Sequence, residues 1–280
     1  MRKNSYPNFR TIYNELKYDL QHHSKLVHTD TWQGLHISTK PEMATRELEN
    51  IFFTVGPLMS LDLAFYRQQI GPNLPWADEH FILERVSGEP INPGETWKSW
   101  PWGLNANQFR TEGDGQFNHS YAERYWPKHA GLTPGGILSD ERGQQLTQMR
   151  SHHHGIRYDY GDLGDVVSLL VRNPLTRNAY LPVWFPEDTG IVHGGRAPCT
   201  LGYLFRMRDN MLSIAYYIRS CDFKRHFQDD VYLTIRLLLW VIERCREADM
   251  RWNEVIPGEF SMHIGSLHIF KNDYREMFGK

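Results

Sequence analysis

The chain has 280 residues, a formal net charge of -2 and three cysteines. That is length enough for one large hydrophobic core, and too even a charge for a broad surface binding a nucleic-acid polymer. Three cysteines form no even disulfide framework, so a reducing, cytoplasmic setting is expected.

Taken in order, the opening MRKNSYPNF lacks the apolar core of a signal peptide. Phe9, Ile12, Tyr13, Leu16 and Leu20 recur at helical spacing and predict an amphipathic helix over residues 9–21. His28 to Ser38 reads as a short strand entered through a turn at Thr29-Asp30. A second helix is predicted from Thr45, with Glu49 one turn inside it beside Ile51, Phe52, Phe53 and Val55. A carboxylate on so apolar a turn needs a partner or a proton unless it faces solvent. Pro, Gly and Trp crowd residues 72–102 and predict a long ordered loop. Tyr121 to Trp126 reads as a short helix within an insertion over residues 104–149. The run His152-His153-His154 invites a metal reading, but adjacent histidines do not converge on one centre, and no paired Cys or carboxylate accompanies them. No metal is therefore expected. Asp162 to Val171 predicts a helix ended by Asn173-Pro174, and Tyr180 to Trp184 predicts a strand.

Apolar and β-branched residues alternate from Thr200 to Met207 and from Met211 to Ile218, with Arg208-Asp209-Asn210 between them. This is a hairpin pattern. A turn centred on Asp209-Asn210 puts Cys199 opposite Ser220 and beside Arg219. A fixed positive charge favours thiolate over thiol, which a nucleophilic cysteine requires, and Arg219 with Ser220 also suits a phosphate. The ordinary alternative is a small buried filler, a role that Cys221 and Cys245 fit better. Asp229-Asp230 caps a helix from Val231 to about Ala248. Its run Leu237 to Ile242 is apolar on most faces, so the helix is expected to be central and buried, and the run is too short to span a membrane. Asp230 has an ordinary explanation as a helix cap. Glu259 to Ile264 and Ser266 to Phe270 are predicted as short strands around Gly265. No linker or internal repeat divides the chain, so residues 1–280 are expected to form a single domain.

Pro198-Cys199, Arg219-Ser220-Cys221-Asp222, Asp230, Pro257-Gly258-Glu259-Phe260 and Gly265-Ser266-Leu267-His268 together resemble the thymidylate synthase family. Upstream, Glu49-Asn50-Ile51-Phe52-Phe53 ending in Gly56 resembles the family's catalytic-glutamate helix, and Asn173-Pro174 through Arg177 to Trp184 its dimer-interface strand. Trp76 and Asp78 resemble its folate contacts, and Pro93-Gly94-Glu95-Thr96-Trp97 occupies its tyrosine-containing turn without the tyrosine. The resemblance implies an α/β (α+β) fold in which a mixed, largely antiparallel sheet packs on a central buried helix. It also implies a homodimer with shared active sites. The implied catalytic residues are Cys199 as nucleophile, Glu49 as proton handler and Asp230 at the base. Arg219, Ser220, His268 and, from the neighbouring subunit, Arg177 are implied as nucleotide ligands, with Asp222 and Trp76 toward the cosubstrate 5,10-methylenetetrahydrofolate.

The family departs from this chain at informative places. Trp32 stands near its phosphate-binding Arg, Thr200 where a His follows the nucleophile, Ile218 for Gln, His226 for Gly and Phe270 for a sugar-contacting Tyr. The tail Glu276 to Lys280 lacks the apolar end that closes synthase members. Thymidylate-forming members carry Asn at Asp230. Uracil presents N3-H and O4, whereas cytosine presents an N3 acceptor and an N4 donor. Asp230, protonated or paired with an N3-protonated ring, favours cytosine, and members with this Asp resemble deoxycytidylate hydroxymethylases. The implied reaction takes dCMP, methylenetetrahydrofolate and water to 5-hydroxymethyl-dCMP and tetrahydrofolate, through addition of the Cys199 thiolate to C6. A dCMP methyltransferase, a dUMP hydroxymethylase or thymidylate synthase, and a silent nucleotide-binding relative remain as alternatives.

Overall fold

Strand-forming residues recur in four long runs, and the structure, a computed structural model, gathers them with three short strands into one sheet. It describes residues 4–32, 35–103, 115–127, 161–189 and 196–279. The strands are β1 (Ser5–Tyr6), β2 (Lys25–Val27), β5 (Thr45–Val55), β6 (Tyr180–Pro182), β7 (Thr200–Arg208), β8 (Met211–Asp222) and β9 (Ile256–Phe270). They run in the order β1-β5-β9-β8-β7-β6, with β2 also paired to β5. Strands β5 and β9, β7 and β8, and β6 and β7 pair antiparallel, while β8 and β9 run parallel. The sheet is therefore mixed, as expected. A separate two-stranded ribbon, β3 (Thr31–Trp32) and β4 (Leu35–His36), stands where one short strand was predicted.

Helix α1 (Phe9–His23) lays Phe9, Ile12, Leu16 and Leu20 into the core, and the Asn8 side chain caps it by accepting from Thr11 N at 2.8 Å. Helices α2 (Leu63–Ile70), α3 (Trp76–His80), α4 (Tyr121–Tyr125), α5 (Leu163–Arg172), α6 (Phe227–Ala248) and α7 (Lys271–Phe278) complete the set. Helix α6 is the central one: Leu237, Leu238, Val241, Ile242 and Cys245 are fully buried. It begins earlier than predicted, so Asp229 and Asp230 lie in its first turn rather than before it. Residues 72–102 are more regular than a loop. They hold α3, a wider π-helical turn over Phe81–Arg85 and a 3-10 turn over Thr96–Lys98. Glycine 265 does not divide the last strand, and β9 is continuous.

The largest correction concerns residues 45–55, which form strand β5 and not a helix. Leu48, Ile51, Phe52 and Val55 fit a helical stripe, but in the fold Leu48, Phe53 and Val55 are buried, and every residue of the strand except Asn50 pairs with β9. Asn50 breaks the alternation with a left-handed φ of 55°, a conformation Asn tolerates better than most residues. Most of the expected insertion over 104–149 and the His152–His154 run lie outside the described residues. Within 115–127, α4 forms as predicted, with a capping box between Ser120 and Glu123.

Candidate active site

The hairpin of β7 and β8 pairs as expected from its turn as far as Gly202, which faces Tyr217. A bulge between Thr200 and Gly202 then shifts the register, so that Thr200 faces Ile218. Cys199 consequently faces Arg219 rather than Ser220, and its carbonyl accepts Arg219 N at 2.9 Å. The Arg219 guanidinium is tied to the same segment, donating from Nε to Pro198 O at 2.8 Å and from Nη2 to Ala197 O at 3.0 Å. Ser220 Oγ lies 3.5 Å from His268 Nδ1 on β9. Cys199, Arg219, Ser220 and His268 thus share one end of three adjacent strands.

Arg219 has the predicted sign of effect on Cys199, but it does not dominate. Burial raises the thiol pKa, Arg219 and Arg196 oppose that, and Asp230 and Asp222 add to it, with a net upward shift. The free protein therefore holds Cys199 as a thiol. Thr200 Oγ1 lies 2.9 Å from the Tyr216 hydroxyl and 3.2 Å from that of Tyr121, so α4 brings a phenol to the residue next to Cys199. Tyr121 is a site residue that sequence reasoning missed. The short helix was expected from sequence, while nothing local signalled where it docks.

The adjacent carboxylates of α6 part company. Asp229 is buried and accepts from both Asn73 N and Asn73 Nδ2 at 2.8 Å, which makes it the structural anchor. Asp230 turns toward β8, where Cys221 Sγ lies 3.7 Å from its Oδ2. Burial pushes Asp230 up to about 7, against the lowering effect of Arg85. Asp222 is 5% exposed; its Oδ1 accepts from the backbone N–H groups of Lys224 and Arg225 at 3.0 and 3.1 Å. Among the described residues its Oδ2 has no hydrogen-bond donor, although Arg225 Nε stands 3.7 Å away, and burial pushes this carboxyl up to about 6.

Other expected positions fall differently. Glu49 is exposed on β5, opposite Ser266, which in turn faces Ser220, so two strand spacings separate it from Ser220. The helical turn on which it was expected is absent, so its role as proton handler rests on the family resemblance alone. Arg177 is exposed on the turn before β6. Trp76 stacks on His80 at 4.9 Å and lies 5.8 Å from Trp100, which itself lies 4.9 Å from His226 beside the start of α6. Asp78 is engaged in a charged cluster with Arg67 at 2.6 Å, the Tyr232 hydroxyl at 2.7 Å and Arg236. Among the described residues no group of three or more His, Cys, Asp or Glu could hold a metal ion, and no helix is long and apolar enough to cross a membrane.

A family model described as thymidylate synthase matches residues 94–278. The chain belongs to the thymidylate synthase family. It is 26% identical over 179 residues to a thymidylate synthase of Rhodopseudomonas palustris, covering 63% of this chain and 54% of that protein. It is also 27% identical over 163 residues to a bifunctional dihydrofolate reductase-thymidylate synthase of Glycine max, covering 56% of this chain and 29% of that protein. The chain thus spans less than a third of the bifunctional relative and about half of the bacterial one. Among solved structures, thermostable thymidylate synthase A from Bacillus subtilis superposes with a TM-score of 0.62 at 14% identity, covering 98% of this chain and 84% of that one. That likeness extends the thymidylate synthase fold to nearly the whole chain.

Proposed function

We propose that the protein is a folate-dependent one-carbon transferase acting at C5 of a pyrimidine nucleotide, and that its substrate is dCMP and its product 5-hydroxymethyl-dCMP. The observation that carries the base assignment is the division of labour between Asp229 and Asp230: the first anchors Asn73, which leaves the second free to meet a base edge beside Cys199. Arg219 and Ser220, with Arg177 from a second subunit, take the phosphate, and His268 meets the sugar. Cys199 adds to C6 and makes C5 nucleophilic. Because its thiol is protonated at rest, the proton must leave as the bond to C6 forms, and Asp230 is a suitable acceptor or relay near neutral pH.

The unpartnered, buried Oδ2 of Asp222 and the ring layer of Trp76, Trp100 and His226 suit a planar heterocycle bearing N–H donors, which fits the pterin of methylenetetrahydrofolate. That cosubstrate, when bound, supplies the carbon unit. A homodimer is supported by the outer face of the sheet, where Phe52, His263 and Tyr217 stack across three strands at 4.4 and 4.8 Å and Phe52 is 39% exposed.

The relatives named for thymidylate synthesis favour a second reading, methyl transfer to dUMP. The test is to incubate the protein with methylenetetrahydrofolate and either nucleotide and to identify both products by mass. 5-Hydroxymethyl-dCMP with tetrahydrofolate is expected; thymidylate with dihydrofolate overturns the assignment in favour of the second reading.

A further inference from the structure

Arg85 ends the π-helical turn Phe81–Arg85 and is 5% exposed. Its Nε donates to His80 Nε2 at 3.0 Å, and its Nη1 donates to the Tyr125 hydroxyl at 3.4 Å. His80 Nδ1 lies 2.8 Å from Glu84 Oε2, which assigns the ring proton to Nδ1 and leaves Nε2 to accept from Arg85. The guanidinium also lies 4.2 Å from the centre of the Tyr121 ring. Among the described residues no carboxylate forms a salt bridge with it. A buried cation held by neutral groups alone is costly, and its field acts on whatever charge forms nearby.

The group placed to receive that field is Asp230. Cys221 Sγ on β8 lies 3.7 Å from this carboxyl, and Arg85 sits against the ring of Tyr121, whose hydroxyl lies 3.2 Å from Thr200 Oγ1 beside Cys199. The charged and titratable groups that act on Asp230 are Arg85 from the π-helical turn, Tyr121 from α4, Cys199 at the start of β7, Tyr216, Cys221 and Asp222 from β8, and Asp229 on its own helix. Arg85 favours the ionised form, whereas Asp229 and Asp222 oppose it. A neutral carboxyl does not by itself choose between the bases, because it can offer its hydroxyl to N3 of cytosine or to O4 of uracil. A carboxylate does choose. Cytosine has a basic N3 and, with one proton added there, presents two donors to the two oxygens; uracil sets its O4 against one of them.

Resting on the cytosine reading above, we propose that Arg85 is a positioning residue for base choice: its buried guanidinium, which has no carboxylate salt-bridge partner among the described residues, keeps Asp230 able to share a single proton with N3 of cytosine and so disfavours uracil. The proton comes from solvent on binding, and no bond to carbon is involved.

The test uses Arg85→Met, which removes the charge at similar size, Arg85→Gln as a second neutral variant that keeps polar contacts if the first does not fold, and Arg85→Lys, which restores the charge. The Asp230 carboxyl is followed by carbon-13 NMR against pH, assigned by its loss in Asp230→Asn. Affinities for dCMP and dUMP are measured alongside. The neutral variants are expected to titrate Asp230 at higher pH and to lower the dCMP-to-dUMP affinity ratio by about tenfold or more, and Lys is expected to recover both. An unchanged titration, an unchanged ratio, or a Lys variant that behaves like Met overturns the inference. Failure of the unaltered protein to prefer dCMP removes the substrate reading itself, and the titration still reports whether Arg85 governs Asp230.

Discussion

Asp229 and Asp230 are adjacent and chemically identical, and the fold gives them different work. Asp229 accepts two hydrogen bonds from Asn73, whereas Asp230 lies against Cys221 and near Cys199. Asp230→Asn exchanges a titratable acceptor for a fixed carboxamide at nearly the same volume. The dCMP-to-dUMP ratio of kcat/KM is expected to fall by roughly two orders of magnitude, with a gain on dUMP; an equal loss on both nucleotides would reduce Asp230 to a helix cap. Asp229→Ala should instead cost about 1–3 kcal/mol of stability without the fall in the ratio that Asp230→Asn brings, since removing its charge only favours the ionised form of Asp230. Stability against pH gives an independent check. Burial holds the Asp222 and Asp230 carboxyls at about 6 and about 7, above their ordinary 3.8. Their contribution to stability is therefore fully present below about pH 4 and is lost as the pH rises through those values. The melting temperature of Asp230→Asn, compared with the unaltered protein at each pH, should improve from pH about 5 to about 8.

At the scale of elements, what could be read from the sequence depended on whether the signal was local. The β7–β8 turn carries positive φ at Asp209 and Asn210, residues that accept it, and the pairing followed from the turn. The bulge was not legible, because it is imposed from β6. At Gly202 a Cβ would stand 2.3 Å from the Tyr180 hydroxyl and 2.6 Å from the Leu181 carbonyl oxygen. That crowding lies in tertiary structure. Gly202→Ala should force β6 and β7 apart, lower stability by about 1–3 kcal/mol in denaturant melts, and reduce kcat by misplacing Cys199 against Arg219. A neutral effect on both would show that the bulge does not set the nucleophile. The misreading of β5 has the same origin, since only pairing with β9 decides between the two periods its apolar residues satisfy. Cys199, its partner Arg219 and Asp230 were visible as residue types at fixed spacing. Tyr121 and Arg85 were not, because distant segments bring them to the site.

For the molecule as a whole, the sheet has two unlike faces. Helix α6 covers one, and the other carries the Phe52, His263 and Tyr217 stack, with Tyr180 40% exposed at its far side. A self-complementary aromatic stripe of this kind suits a two-fold interface, in which each subunit presents the same patch. Arg177 lies on the exposed turn leading into the edge strand β6, toward the β7–β8 turn, where Arg208 Nη1 donates to Leu175 O at 3.3 Å, and so at the other end of the strands from Cys199 and Arg219 of its own chain. If it completes the partner's phosphate site, Cys199→Ser and Arg177→Ala are each inactive as homodimers for different reasons. Full exchange of equal amounts gives hybrids in half of the dimers, and each hybrid holds one site with both an intact Cys199 and an intact Arg177. Recovery of about one quarter of the unaltered activity is expected after exchange, with no recovery when the two are kept apart. Exchange demonstrated by mass with activity still absent would confine every site to a single chain and overturn the shared-site reading of Arg177.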